Sequence, residues 1–176
     1  MQTLDLFSHL GIMFLMRWFH FLAGITWIGI LYYFNFVQGP FLAGVEEAAT
    51  KKDVTTKLLP RALWWFRWGA LFTVLFGLIL YIDMGTRAAS FNAFLSSAQG
   101  VSITIGGILG IIMLFNVWVL IWPNQQKIIA AVGQGKGPAE LGGKPRVAFL
   151  ASRTNTMLSI PMLFLMAASS HMATWA

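Results

Sequence analysis

The chain has no cysteine and few charged residues, and both absences narrow the class of protein. Without cysteine it can form no disulfide, thiolate metal site, iron–sulfur cluster or cysteine nucleophile. Only 10% of the 176 residues are charged, whereas a soluble domain carries roughly 25%. Hydrophobic residues make up 57% of the chain and occur in long runs. The composition therefore predicts an integral membrane protein.

Four apolar segments have the length of about 20 residues that a helix needs to cross the hydrocarbon core. They cover residues 18–37, 63–82, 103–122 and 156–173. The sequence therefore predicts an all-α membrane protein, a four-transmembrane-helix bundle that forms a single domain over residues 1–176. We interpret residues 1–17 as an interfacial segment or an extension of the first helix.

The positive charges are concentrated in two of the three loops. The first loop holds Lys51, Lys52, Lys57 and Arg61, and the third holds Lys127, Lys136, Lys144, Arg146 and Arg153. The second loop carries a single basic residue, Arg87. Because Lys and Arg favour cytoplasmic loops, we predict a multi-pass protein of the bacterial inner membrane with both termini outside, in the periplasm. The net charge of +6 then requires no nucleic-acid partner.

Two histidines, His20 and His171, lie near the predicted outer ends of the first and fourth spans. Each is roughly 5 Å below the outer interface, at about 1.5 Å of rise per residue. Two neutral imidazoles at one depth on neighbouring helices suit a six-coordinate haem b. We therefore consider both as ligands of a haem iron. The alternative is a pair of interfacial or hydrogen-bonded core histidines.

The neighbours of His20 fit a bound macrocycle. His20, Gly24 and Trp27 are spaced so that they share one helix face. Gly24 would leave room for a flat ring, and Trp27 would stack on it or anchor the core. Arg17, one turn further out, could contact a haem propionate. His9 lies outside the first span and is a weaker candidate, expected to be exposed.

The opposite ends of the spans are rich in amides and cations. These residues are Gln38, Arg61, Arg67, Asn116, Asn124, Gln125, Lys127, Arg153 and Asn155. They indicate either a small-molecule pocket or a belt of interfacial cations and helix-capping amides. Asn116 is expected to find a hydrogen-bond partner across the bundle, and Pro161 is expected to kink the fourth span.

Glycines in the third span indicate close helix packing. Gly106 and Gly110 form a pair of small residues four apart, supported by Gly107. Such pairs let two helix backbones approach closely. The contact would be made either within the bundle or with a second copy, and we expect a homodimer or a larger membrane complex.

Short motifs in all four predicted spans carry a resemblance to a known family. They are Arg17-Trp-Phe-His20, Ile25-Thr-Trp-Ile-Gly29, Trp65-Phe-Arg-Trp68 with Gly77, Asn116-Val, Pro123-Asn-Gln125, and Asn155 to Met166 with its Ser-Ile-Pro-Met-Leu-Phe run. In these stretches the chain resembles the membrane N-terminal domain of bacterial membrane-bound urate oxidase, also called urate hydroxylase.

The resemblance implies a helical membrane domain that passes electrons from substrate oxidation to a c-type cytochrome. The full-length family also carries a C-terminal cytochrome c domain, whereas this chain is shorter and has no Cys-x-x-Cys-His motif. We therefore take the fold and a redox association from the resemblance.

Three functions remain open. The leading expectation is a small b-type cytochrome-like electron-transfer protein, or a haem-bearing subunit of a membrane redox complex. One alternative is a cofactor-free accessory subunit of a respiratory or photosynthetic complex. The other is a urate-oxidising domain, although no catalytic constellation is evident in the sequence.

Overall fold

The computed structural model describes residues 5–136 and 138–171, and this part of the chain is helices joined by short loops, without strands. The long runs form continuous helices, so the all-α prediction is confirmed. In chain order the helices are α1 (His9–Gly44), α2 (Ala48–Arg87), the short α3 (Phe91–Ser96), α4 (Ala98–Gly133) and α5 (Lys144–His171). A single 3₁₀ turn, Pro138–Leu141, precedes α5.

Helices α1, α2 and α4 are long and apolar enough to cross a membrane. They contain 36, 40 and 36 residues, with mean hydropathies of 1.4, 1.7 and 2.3. Each exceeds the roughly 20 residues that a span requires. Large apolar side chains on their outer faces are exposed, among them Ile25, Leu78 and Ile111. These faces are suited to lipid, and the chain is a membrane protein by the composition of its helices.

Among the described residues, three helices rather than the predicted four meet this criterion for a span. The helix that does not meet it is α5, which has 28 residues. From residue 155 onward α5 contains four polar residues that are buried in the bundle, namely Asn155, Thr156, Ser159 and Ser169. These polar side chains lower the average hydropathy of the helix although they point inward.

The long helices contain π-helical turns, and their positions are explained by prolines. Segments Tyr33–Gln38, Val54–Leu58 and Asn116–Ile121 are π-helical. Each ends two residues before a proline, namely Pro40, Pro60 and Pro123. A proline ring clashes with the carbonyl four residues earlier and donates no hydrogen bond. A wider turn at that point accommodates the ring and lets the helix continue.

The bundle is built from two helix pairs, α1 with α2 and α4 with α5. The core between them contains Trp27, Leu31, Phe66, Met113 and Val117, each almost completely buried. The first pair approaches most closely at the glycine of α2 that follows Trp68. A Cβ atom at this Gly69 would lie 3.2 Å from the backbone nitrogen of Trp27. Helix backbones can meet here because Gly69 has no side chain.

Gly106 makes the corresponding contact between α4 and α5. A Cβ atom at Gly106 would lie 3.1 Å from Cε of Met166 and 3.4 Å from Cβ of Leu165. Gly110 is also buried within the bundle. Gly106 therefore serves close packing inside the protein, whereas a Cβ atom at Gly110 would meet no atom within 4 Å.

Replacing Gly69 by alanine should destabilise the protein, and replacing Gly29 by alanine should not. Both changes gain the helix propensity of alanine over glycine, about 1 kcal/mol. A Cβ at Gly29 meets no atom within 4 Å, whereas at Gly69 it meets backbone of α1. Overpacking of this kind costs about 1–3 kcal/mol. Thermal unfolding in detergent would measure the difference, and equal melting temperatures for the two variants would contradict the close approach.

Candidate functional site

A cavity of about 620 Å³ lies between α1, α2, α4 and α5. Most of its lining is apolar, and the helices leave space because Gly77, Gly107 and Gly110 line it. Polar groups enter at a few points, chiefly the side chains of His20 and Arg17. A largely apolar cavity of this size with a few polar groups is typical of a site for a small molecule or cofactor.

The imidazole of His20 is held in one orientation by α2. Its Nδ1 lies 2.8 Å from the carbonyl oxygen of Thr73. A carbonyl only accepts, so Nδ1 carries the proton and the lone pair is on Nε2. The hydroxyl of Thr73 donates to the carbonyl of Gly69 at 2.7 Å. Metal-binding histidines usually have this arrangement. One ring nitrogen donates to a backbone carbonyl and so orients the ring, and the other nitrogen has a free lone pair for the metal.

Gly77 makes the bond between His20 and Thr73 possible. A Cβ atom on Gly77 would lie 2.9 Å from Cε1 and 3.1 Å from Nδ1 of His20. Gly77 follows Thr73 by four residues, so it stands where a side chain would cover the Thr73 carbonyl. Its missing side chain leaves that carbonyl open to the imidazole.

The mouth of the cavity at Arg17 is basic. Arg17 also lines an adjoining cavity of about 420 Å³, together with Arg87. Asp83 is buried; it forms an ion pair with Arg87, and its carboxylate lies 3.0 Å from Nε2 of His9. Arg17 has no hydrogen bond or ion pair with any residue that the structure describes. The mouth is thus suited to a carboxylate or another anionic group.

The predicted site residues are only partly brought together. Arg17, His20 and Trp27 all line the cavity. The indole nitrogen of Trp27 is buried and has no acceptor among the described residues. Gly24 does not line the cavity; it faces Thr73, whose Cγ2 a Cβ atom would meet at 3.7 Å.

The last turn of α5 also reaches the cavity, through Ser169 and Ser170. His171 is the final residue of α5, and its side chain lies outside the described part of the structure. His9, the weaker candidate, is exposed, and its Nε2 contacts Asp83.

Sequence reasoning missed several lining residues, namely Thr73, Tyr81, Met162 and Met166. Thr73 and Tyr81 have no motif that would single them out, because their contribution depends on how α2 faces α1 and α4. In the part of the chain that the structure describes, no three His, Cys, Asp or Glu side chains lie close enough to hold a metal ion.

The other half of the bundle contains a network of buried amides. Nδ2 of Asn116 donates to Oδ1 of Asn155 at 2.8 Å, and Nδ2 of Asn155 donates to the carbonyl of Met113 at 3.0 Å. Asn116 therefore has the partner across the bundle that the sequence led us to expect. The acceptor, Met113, lies three residues before Asn116, where the π segment of α4 begins.

A similar contact joins α1 to α5. Ser159 donates to the carbonyl of Thr156 at 2.7 Å, so Tyr32 must donate to Oγ of Ser159 at 2.9 Å. Asn35 donates to Oγ of Ser152 at 2.8 Å. The buried amides and hydroxyls of α5 thus bind other protein groups, and their chemistry here is structural.

Comparison with known proteins gives one match. The urate oxidase N-terminal family matches residues 83–176, which cover the last turn of α2 together with α3, α4 and α5. No curated protein and no solved structure matches the chain. The matched segment contains Asn116 and Asn155 but not His20.

Replacing Asn155 alone by leucine should destabilise the protein more than replacing both Asn116 and Asn155 by leucine. The single change leaves the amide of Asn116 buried without its acceptor, which costs about 1–3 kcal/mol. We expect the double leucine variant to recover part of this loss. A double-mutant cycle by thermal or denaturant unfolding measures the coupling between residues 116 and 155. Asn124→Leu is the control, because the amide of Asn124 donates to a carbonyl of its own helix. Additive effects at 116 and 155 would contradict the contact.

Proposed function

The chain belongs to the urate oxidase N-terminal family, and from this membership we propose that it is a membrane redox subunit that holds haem b in the cavity of about 620 Å³. The proposal makes it a b-type cytochrome-like electron-transfer protein related to urate oxidase membrane domains. It would exchange electrons with a c-type cytochrome or with other subunits of a membrane complex.

One observation carries the proposal, namely the imidazole of His20 at the wall of a glycine-lined cavity. Its Nδ1 proton is engaged by the Thr73 carbonyl, so Nε2 is the atom free to bind iron. A macrocycle needs little from the protein beyond axial ligands and apolar walls, and the cavity lining is mostly apolar.

Other residues would complete the site. Arg17, without a partner among the described side chains, would bind a propionate at the basic mouth. His171 would be the second axial ligand, because Ser169 and Ser170 just before it line the cavity. Trp27 would pack against the ring. Bound haem b supplies a one-electron couple, and these residues would bind it, orient it and exclude water around it.

We also propose that α5 crosses the membrane, so that both termini lie on the periplasmic side of the inner membrane. Its polar side chains bind other protein groups, while the side chains exposed along its membrane half are apolar. They are Met157, Ile160, Leu163 and Phe164. A helix with an apolar outer face and a satisfied polar inner face is compatible with lipid despite its average composition.

Purified protein from native membranes should show a low-spin haem spectrum that His20→Ala removes. His9→Ala is the matched control, because His9 is exposed and pairs with Asp83. Gly77→Ala keeps the histidine but places a Cβ about 2.9 Å from its ring, so we expect reduced occupancy or a shift toward high-spin haem. Reduced-minus-oxidised absorption spectra measure all three.

These absorption spectra distinguish the three candidate functions. Wild-type protein without a Soret band would contradict the haem proposal and favour a cofactor-free accessory subunit. Reduction of the bound haem on addition of urate would support the urate-oxidising alternative, since the family name of the matched segment refers to that enzyme.

Alkaline-phosphatase fusions test the membrane topology. A fusion after Trp175 should be active, because the periplasm allows the reporter to fold. A fusion near Lys136 should be inactive, because the basic loops favour the cytoplasm. Inactive fusions at both positions would contradict a membrane crossing by α5.

A further inference from the structure

Arg67 is an arginine within α2 that has no acidic partner. Its guanidinium lies over the rings of Trp122, Trp118 and Trp68, at 3.9, 4.9 and 5.2 Å from their centroids. It forms no hydrogen bond or ion pair with any residue of the described part. The aromatic rings stabilise the positive charge but accept none of its five N–H bonds.

Three buried nitrogens of this cluster are donors without an acceptor among the described residues. Nε of Arg67 and the indole nitrogens of Trp68 and Trp118 are buried and unpartnered in this part of the structure. The Trp68 and Trp118 rings lie edge to face, with centroids 5.8 Å apart. Two unsatisfied indole donors beside a guanidinium whose own Nε is unsatisfied make a local excess of positive potential, which no described side chain compensates.

The surroundings of this cluster indicate what could supply the acceptor. Arg67 lies about 9 Å along α2 from Arg61, at the end of the bundle where the basic loops are. The exposed indoles of Trp64 and Trp65 are typical of the headgroup level. On the other side of the cluster the exposed side chains are apolar, namely Phe72, Phe115 and Val119.

We propose that Arg67, Trp68 and Trp118 bind the phosphodiester of an anionic phospholipid in the inner leaflet. The terminal nitrogens of Arg67 would donate to the phosphate oxygens, and the buried indole nitrogens behind the guanidinium would add positive potential. Phe72, Phe115 and Val119 would contact the acyl chains. This site is separate from the His20 cavity and does not depend on haem.

Native mass spectrometry in detergent with added phosphatidylglycerol tests the site. Wild-type protein should retain bound lipid, and Arg67→Ala should weaken binding roughly 10- to 100-fold, as expected for hydrogen bonds to a charged group. Arg61→Ala removes the same charge from the same helix and should change binding less than about threefold. Arg67→Lys keeps the charge without the planar fork and should restore binding only in part.

Trp118→Phe keeps an aromatic ring under the guanidinium and removes one buried donor with its positive potential, so it should weaken binding roughly threefold, less than Arg67→Ala does. This variant decides the question if Arg67→Ala does not fold. Equal loss in Arg61→Ala and Arg67→Ala would overturn the proposal, because binding would then depend on net charge alone. Equal binding of phosphatidylcholine, or displacement of the lipid by inorganic phosphate, would also overturn it.

Discussion

Lipid provides no hydrogen-bond partner, and this constraint determines where each polar group of the bundle lies. Asn155 and Ser159 are completely buried in α5, and each binds other helices through short hydrogen bonds. Because these bonds exist in only one rotation of α5, they fix which face of the helix points inward. Its apolar residues then face outward, and the packing of α4 on α5 at Gly106 follows from that orientation.

Much of the fold could be predicted from the sequence, because apolar runs separated by basic loops indicate membrane helices. Asn116 was also expected to bind across the bundle, since a buried amide needs a partner. The identity of that partner could not be predicted, because it requires the pairing of α4 with α5. The hydropathy of α5 does not reach that of a candidate span for a related reason, because Asn155 and Ser159 lower the average although both are buried against protein.

The candidate site was predicted less completely. Depth along the first span singled out His20, and Arg17 and Trp27 followed from helical spacing. Thr73 and Gly77 could not be found in the same way, because their contacts with His20 depend on the register of α1 against α2. Gly24 shares a helix face with His20, yet it is directed at Thr73 rather than at the cavity.

The cavity and the amide network differ in how well their polar groups are satisfied. Around Asn116 and Asn155 donors and acceptors match, and the helices pack closely. Around the cavity, the indole nitrogen of Trp27 and the side chain of Arg17 have no partner among the described residues, and glycines leave a volume of about 620 Å³. Unfilled apolar volume costs stability in proportion to its size. The combination of open volume with unpaired donors favours an occupant that is apolar in its body and anionic at its outer edge.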